Sequence, residues 1–262
     1  MKIDKIIVST TNNELYYDFW NPLSKTIKEK FSIDPVLIWV GEEEDFNKTS
    51  LNKDYGEVHF LKINEDYPIP VQATIAFHYG TKFYPNDICF IQGIDEVPLS
   101  KIFISDLVNE FSDEDYVMLI ANAYFPNHHW TFENSASPSS HHCAKGSTFN
   151  NIYGFEENFE DEVRKVFNSG VKPFWFEDTF WGMDESYLSF KLRQYNNQDI
   201  IKSLNYFELM CQRRLDCNRH YELAYDLDKL KNGWYSQAHL CRPFSAHKEW
   251  LTKLYDDIPK FM

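Results

Sequence analysis

The runs Lys5–Ser9 (KIIVS), Val36–Val40 (VLIWV), Val58–Ile63 (VHFLKI), Ile88–Ile91 (ICFI) and Tyr116–Ile120 (YVMLI) are short and apolar, each bounded by polar or turn residues. Strands buried on both faces have this pattern. Between the first two runs, Leu15, Phe19, Leu23, Ile27 and Phe31 recur at helical spacing, and Val71, Ile75, Tyr79 and Phe83 do the same between the third and fourth. Asn21-Pro22 is expected to cap a new helix or to kink the first one. Strands alternating with helices predict an α/β fold, with a Rossmann-like, mixed but mainly parallel central sheet flanked by helices.

The chain has 262 residues, 43% of them hydrophobic and 17% aromatic, enough to bury a sizeable core as a single domain over 1–262. A net charge of -14 argues against nucleic acid or an anionic membrane as the main partner, since both attract a basic surface. No apolar run has the length of a membrane span, and the opening MKIDKIIVSTTNNELYY reads as a first strand and not as a signal peptide. The five cysteines, Cys89, Cys143, Cys211, Cys217 and Cys241, include no Cys-x-x-Cys pair. Neither a disulfide framework nor a zinc site is expected, and the cytoplasm is the simplest location.

The stretch Cys89–Leu99 (CFIQGIDEVPL) is an apolar strand ending in Gly93, Ile94, Asp95 and Glu96. Carboxylates at the carboxyl end of a buried strand lie where open α/β sheets bind ligands, and they can hold a divalent cation against a diphosphate. The plain alternative is a turn carboxylate that caps the next helix or loop. Ser9-Thr10-Thr11-Asn12-Asn13 comes directly after the first strand and offers hydroxyls and amides to a base and ribose, or else forms an ordinary polar turn. The segment Asn122–Gly154 is rich in His, Ser, Asn and Pro and predicts an extended loop or hairpin over the site. Within it, His141 to Thr148 carries Lys145-Gly146, a donor-rich stretch suited to sugar hydroxyls or phosphate. Paired histidines can be zinc ligands, but adjacent strand residues point to opposite faces, so neither His128-His129 nor His141-His142 is expected to hold one ion together and a loop-surface role is the default for both. Trp181 to Glu185 places Asp184 and Glu185 after an aromatic run, as a general base beside a sugar or simply as acids at a helix N-terminus. Near the end, His239-Leu240-Cys241-Arg242-Pro243 supplies an imidazole for a metal and a guanidinium for a phosphate.

Together these segments resemble a family of small viral and bacterial glycosyltransferases with the GT-A fold, which act on nucleotide-sugars. The likeness rests on Thr10 to Asn13 ahead of Tyr16 to Trp20, on Asp95 with Val97-Pro98-Leu99 after it, and on Lys145-Gly146, Trp181 to Glu185, Arg214-Leu215-Asp216 and His239 to Pro243. It implies a metal-assisted glycosyltransferase that moves a sugar from a nucleotide-sugar donor to a hydroxyl of a carbohydrate or glycoconjugate acceptor. Residues 1–121 would be the donor-binding half, and 122–262 the acceptor side with the C-terminal helices. The implied nucleotide-sugar contacts are Thr10, Asn12, Gln72, Gly93, Asp95, Lys145 and Arg242. Asp95 and His239 would hold manganese or magnesium, and Asp184 or Glu185 would be the catalytic base. Gly93 stands where the family's Asp-x-Asp motif has its first aspartate, and Ile75-Ala76-Phe77 stands where an arginine is common. A non-catalytic nucleotide- or carbohydrate-binding relative is the alternative reading, and a hydrolase with paired carboxylates is a more remote one.

Overall fold

The structure, a computed structural model, describes residues 1–121, 123, 137–173, 180, 182–216 and 225–261. His128, His129, Trp181 and Cys217 lie outside the described residues.

The first half alternates strands and helices as predicted, with one further helix, Glu43–Asn47, that the apolar spacing does not mark. Strands β1 (Lys5–Thr11), β2 (Asp34–Val40), β3 (Glu57–Leu61) and β4 (Ile88–Ile91) are separated by helices α1 (Trp20–Thr26), α2 (Glu43–Asn47) and α3 (Ile69–Gly80). Pro22 sits in the first turn of α1, where its missing N–H is not needed. After β4 come β5 (Glu96–Pro98), β6 (Tyr116–Met118), β7 (His142–Lys145), α4 (Gly146–Tyr153), α5 (Phe159–Phe167) and α6 (Met183–Gln194). The chain closes with β8 (Ile201–Ser203), α7 (Phe207–Arg213), β9 (Arg214–Asp216), α8 (Leu227–Lys231), β10 (Gln237–His239) and α9 (Lys248–Asp257).

Seven strands form one sheet in the order β3-β2-β1-β4-β7-β6-β8. Its first four strands are parallel, β7 is antiparallel to both β4 and β6, and β8 is parallel to β6. This is the mixed, mainly parallel sheet expected from the sequence, with helices on both faces. Side chains alternate across the pleat and feed two cores. Ile6, Val8, Leu37, Trp39, Ile88 and Phe90 pack on one side with Leu23 of α1 and Leu251 of α9. Ile7, Val36, Ile38, Val40, Cys89 and Ile91 pack on the other with Ile75 of α3, Phe149 of α4, Val163 of α5 and Leu188 of α6. At Gly80 a Cβ would fall 2.5 Å from Ile38 Cγ1, so glycine lets α3 settle directly on the sheet.

A second, three-stranded sheet has the order β5-β10-β9. It is a product of long-range pairing alone, because each strand is short and half polar.

Two expectations are corrected. The segment Asn122–Gly154 is not a continuous loop or hairpin: its later part builds β7 and α4, and Gly146 lies so close to Tyr84 that a Cβ would stand 2.2 Å from the Tyr84 carbonyl oxygen. Cys241 is disulfide-bonded, whereas Cys89, Cys143 and Cys211 are free thiols. No helix among the described residues is long and apolar enough to cross a membrane.

Candidate active site

In the order β3-β2-β1-β4, the chain's direction of growth across the sheet reverses between β1 and β4. A crevice opens beyond the carboxyl ends of strands at such a switch point. Here it is a cleft of about 390 Å³. Ser9, Thr10 and Thr11 line it from the end of β1, Gly93 to Glu96 from beyond β4, and Thr74 and Phe77 from α3. Ser139, Ser140 and Glu185 close one side, and Tyr16, Arg214, His239 and Arg242 close another.

The second sheet supplies the charge. In its register Glu96 of β5 pairs with His239 of β10, and His239 pairs with Asp216 of β9. The imidazole is thereby set between two acids, with Nε2 3.2 Å from Asp95 Oδ2 and Nδ1 3.7 Å from Asp216 Oδ1. The Leu240 N–H also donates to the Asp95 carbonyl oxygen at 2.8 Å, which ties the strand-end turn to β10. Burial works against the imidazolium, but the hydrogen bond and charge of Asp95 and the charge of Glu96 outweigh burial and the opposing Arg214. The His239 pKa is therefore raised. Arg242 Nε lies 3.4 Å from the same Asp95 oxygen, and its NH1 donates to the Tyr16 hydroxyl.

Glu96 is almost wholly buried. Its Oε2 accepts the Gly93 N–H at 2.8 Å, and its Oε1 accepts from Arg214 NH2 at 3.1 Å. Burial pushes its carboxyl upward, but His141, Arg214, His239 and the Gly93 N–H pull harder, and the net shift is downward. A Cβ on Gly93 would stand 3.0 Å from Asp95 Oδ1 and 3.2 Å from Glu96 Oε2. A side chain at this position would press on the carboxylates of Asp95 and Glu96, which would have to give way by a few tenths of an ångström.

The fit to manganese or magnesium can be judged from these contacts. Both ions take several hard oxygen ligands. At Asp95 the neighbours of Oδ2 are the basic nitrogens His239 Nε2 and Arg242 Nε, and at Glu96 each carboxylate oxygen already accepts a hydrogen bond. Among the described residues no group of three or more His, Cys, Asp or Glu side chains is placed to hold a metal ion. The donor set around Asp95 and His239 does not fit a divalent cation.

Of the residues singled out in the sequence, Thr10, Gly93, Asp95, Glu185, His239 and Arg242 meet in this cleft. Asn12 is exposed beside it, and Asn13 lines it instead. Gln72 is buried away from it: its Oε1 accepts the Asn64 N–H at 2.9 Å, and its Nε2 donates to the carbonyls of Asn64 and Tyr67 at 2.8 and 2.9 Å. Lys145 lies at the opposite end of the strands from the cleft, because β7 runs antiparallel to β4 and Lys145 pairs with Ile88 at the start of that strand. Asp184 and Glu185 share the first turn of α6, where a helix N-terminus favours acids. Glu185 faces the cleft, while Asp184 is buried behind it with its pKa raised by burial against hydrogen bonds from Ser139 and Thr74. His141 and His142 are buried and not surface residues. His141 Nε2 lies 2.6 Å from Gln237 Oε1, and His142 Nδ1 lies 3.0 Å from the Tyr116 hydroxyl. Sequence reasoning gave no role to Arg214, Asp216 or Tyr16, although the resemblance touches all three; Tyr16 marks only a helix start there.

No protein-family model matches the sequence. No curated protein matches it. Among solved structures it is similar to the glycosyltransferase GlyE of Streptococcus pneumoniae TIGR4, at 10% identity and a TM-score of 0.43. That alignment covers 98% of this chain and 63% of the other, so the chain spans less than two thirds of the length of that structure.

Proposed function

We propose that the chain is a glycosyltransferase that binds a nucleotide-sugar in the cleft between the ends of β1 and β4. One observation carries this reading: a switch-point crevice in which the hydroxyls at the end of β1, the strand-end Asp95, three basic side chains and the carboxylate of Glu185 all converge. In this account Thr10 and Asn13 face the base and ribose. Arg214, His239 and Arg242 face the diphosphate, whose charge grows as it leaves. Glu185 stands across the cleft as general base. The acceptor hydroxyl gives its proton to Glu185, its oxygen bonds to the anomeric carbon, and the bond from that carbon to the diphosphate oxygen breaks. The nucleoside diphosphate leaves with the bonding electrons. Carbohydrate or glycoconjugate hydroxyls are the proposed acceptors.

The crowding of Gly93 by the Asp95 and Glu96 carboxylates favours one other reading, a relative that binds nucleotide or carbohydrate without turnover. Incubation with a panel of uridine, guanosine, cytidine and thymidine diphosphate sugars, with and without simple glycoside acceptors, separates the two. Acceptor-stimulated release of one nucleoside diphosphate supports the transferase. Binding without release from any donor supports the non-catalytic relative, and no binding at all overturns both.

A further inference from the structure

The carboxylates of a metal-dependent diphosphate site present free oxygens to the ion. Here Asp95 Oδ2 and both Glu96 oxygens are presented to the chain's own basic groups and N–H groups. Asp95 Oδ2 is shared by His239 Nε2 at 3.2 Å and Arg242 Nε at 3.4 Å, and Arg214 NH2 reaches Glu96 Oε1 at 3.1 Å. Three acids, Asp95, Glu96 and Asp216, thus organise three basic side chains along one wall of the cleft.

The basic groups are not used up by these pairs. A guanidinium has five N–H donors in a fixed fork. The Nε of Arg214 is buried and has no hydrogen-bond partner, although Arg214 lines the cleft. A buried, unpaired donor on a cationic group is costly unless something supplies an acceptor, and phosphate oxygens suit a guanidinium well. Arg242 is braced separately, with NH1 on the Tyr16 hydroxyl and its guanidinium carbon 5.1 Å from the Tyr16 ring centre. Its remaining donors are held in one orientation at the cleft mouth.

We propose that Arg214, His239 and Arg242 take the place of a divalent cation, so that the site binds a diphosphate group without metal and Asp95, Glu96 and Asp216 are positioning residues for these three side chains. The proposal rests on the reading of the cleft as a nucleotide-sugar site and states how that site holds its charge. It also accounts for Gly93: with no ion to ligate, the position needs no carboxylate, and Glu96 folds back onto its N–H instead.

The test is calorimetric titration of the full chain with inorganic pyrophosphate and with UDP, GDP, CDP and ADP, in EDTA and again in manganese chloride. The expected result is that pyrophosphate and at least one nucleoside diphosphate bind in EDTA, with affinities within about two-fold of those in manganese. Arg214→Gln and Arg242→Gln should each weaken binding about ten-fold or more, the loss of one charge-assisted hydrogen bond. Arg214→Lys, with thermal unfolding as a check on folding, should retain charge but lose the fork and fall between. Binding that requires manganese, or gains more than about ten-fold from it, overturns the proposal and leaves the transferase reading standing. Pyrophosphate binding in EDTA with no nucleotide preference supports the cation site and counts against a nucleotide-sugar. Absence of binding by every probe overturns both.

Discussion

His239 Nε2 lies 3.2 Å from Oδ2 of Asp95, a contact made across the junction of two sheets and sealed by the N–H of Leu240 on the Asp95 carbonyl. An imidazole thus stands beside the carboxylate at the end of the central strand, and the chemistry of the cleft depends on that placement.

The first consequence is a pH dependence. Asp95, Asp216, Glu96 and Arg214 face His239; burial and the Arg214 charge work against the imidazolium, but the hydrogen bond and charge of Asp95 and the charge of Glu96 outweigh them and raise its pKa. A raised pKa stabilises the fold fully below the unfolded imidazole value of about 6.5, and that contribution is lost as pH rises through the folded value. Unfolding free energy should therefore fall on the alkaline side more in wild type than in His239→Gln. The lowered pKa of Glu96 acts on the other limb, where its contribution is lost as pH falls through the folded value. Urea denaturation across pH checks both, and superimposable wild-type and His239→Gln profiles would refute the first.

Glu185 is the carboxylate of the acidic pair that reaches the cleft. Glu185→Gln should lower sugar transfer by about a hundred-fold or more while weakening nucleotide binding far less. Turnover of the variant within a few-fold of wild type would remove Glu185 as the base.

An aspartate placed at Gly93 should not create a manganese site. Its Cβ would meet Asp95 Oδ1 at 3.0 Å and Glu96 Oε2 at 3.2 Å, and its charge would join two acids already present. Gly93→Asp should lower the melting temperature by several degrees, about 1–3 kcal/mol, from crowding and like-charge repulsion. A stable variant with manganese-dependent nucleotide binding would contradict this.

Gln72 is a structural clamp. Replacing it with Leu leaves the Asn64 N–H and two carbonyls without their partner, and should cost about 1–3 kcal/mol in urea denaturation. Unchanged stability would show that other groups take over these hydrogen bonds.

How far the sequence foretells this structure depends on the range of the interactions. Strands β1, β2 and β4 and helix α3 are visible as apolar runs and four-residue spacing, because burial on both faces of a parallel sheet leaves a local imprint, and the half-buried edge strand β3 keeps enough of it to be seen. The acid at the strand end is visible for the same reason. Strands β5, β9 and β10 read EVP, RLD and QAH, and no local pattern marks them. They are strands only because they pair with one another across long stretches of chain, so Arg214 and Asp216 arrive in the cleft by topology. Asn12 and Asn13 show the limit at finer scale, since one step along the backbone turns a side chain from the cleft to solvent. Gln72 looks like any polar helix residue until its loop partners are in place.

The central claim, a nucleotide-sugar diphosphate held by the chain's own cations, is tested most directly by a crystal structure of the protein with the nucleoside diphosphate that binds tightest, grown in the presence of manganese. The account predicts diphosphate oxygens within hydrogen-bond reach of the Arg214 and Arg242 guanidinium groups, with the nucleoside toward Thr10 and no ion between Asp95 and the phosphates. A manganese ion bridging Asp95 to the diphosphate, or a nucleotide bound outside the cleft between β1 and β4, would contradict it.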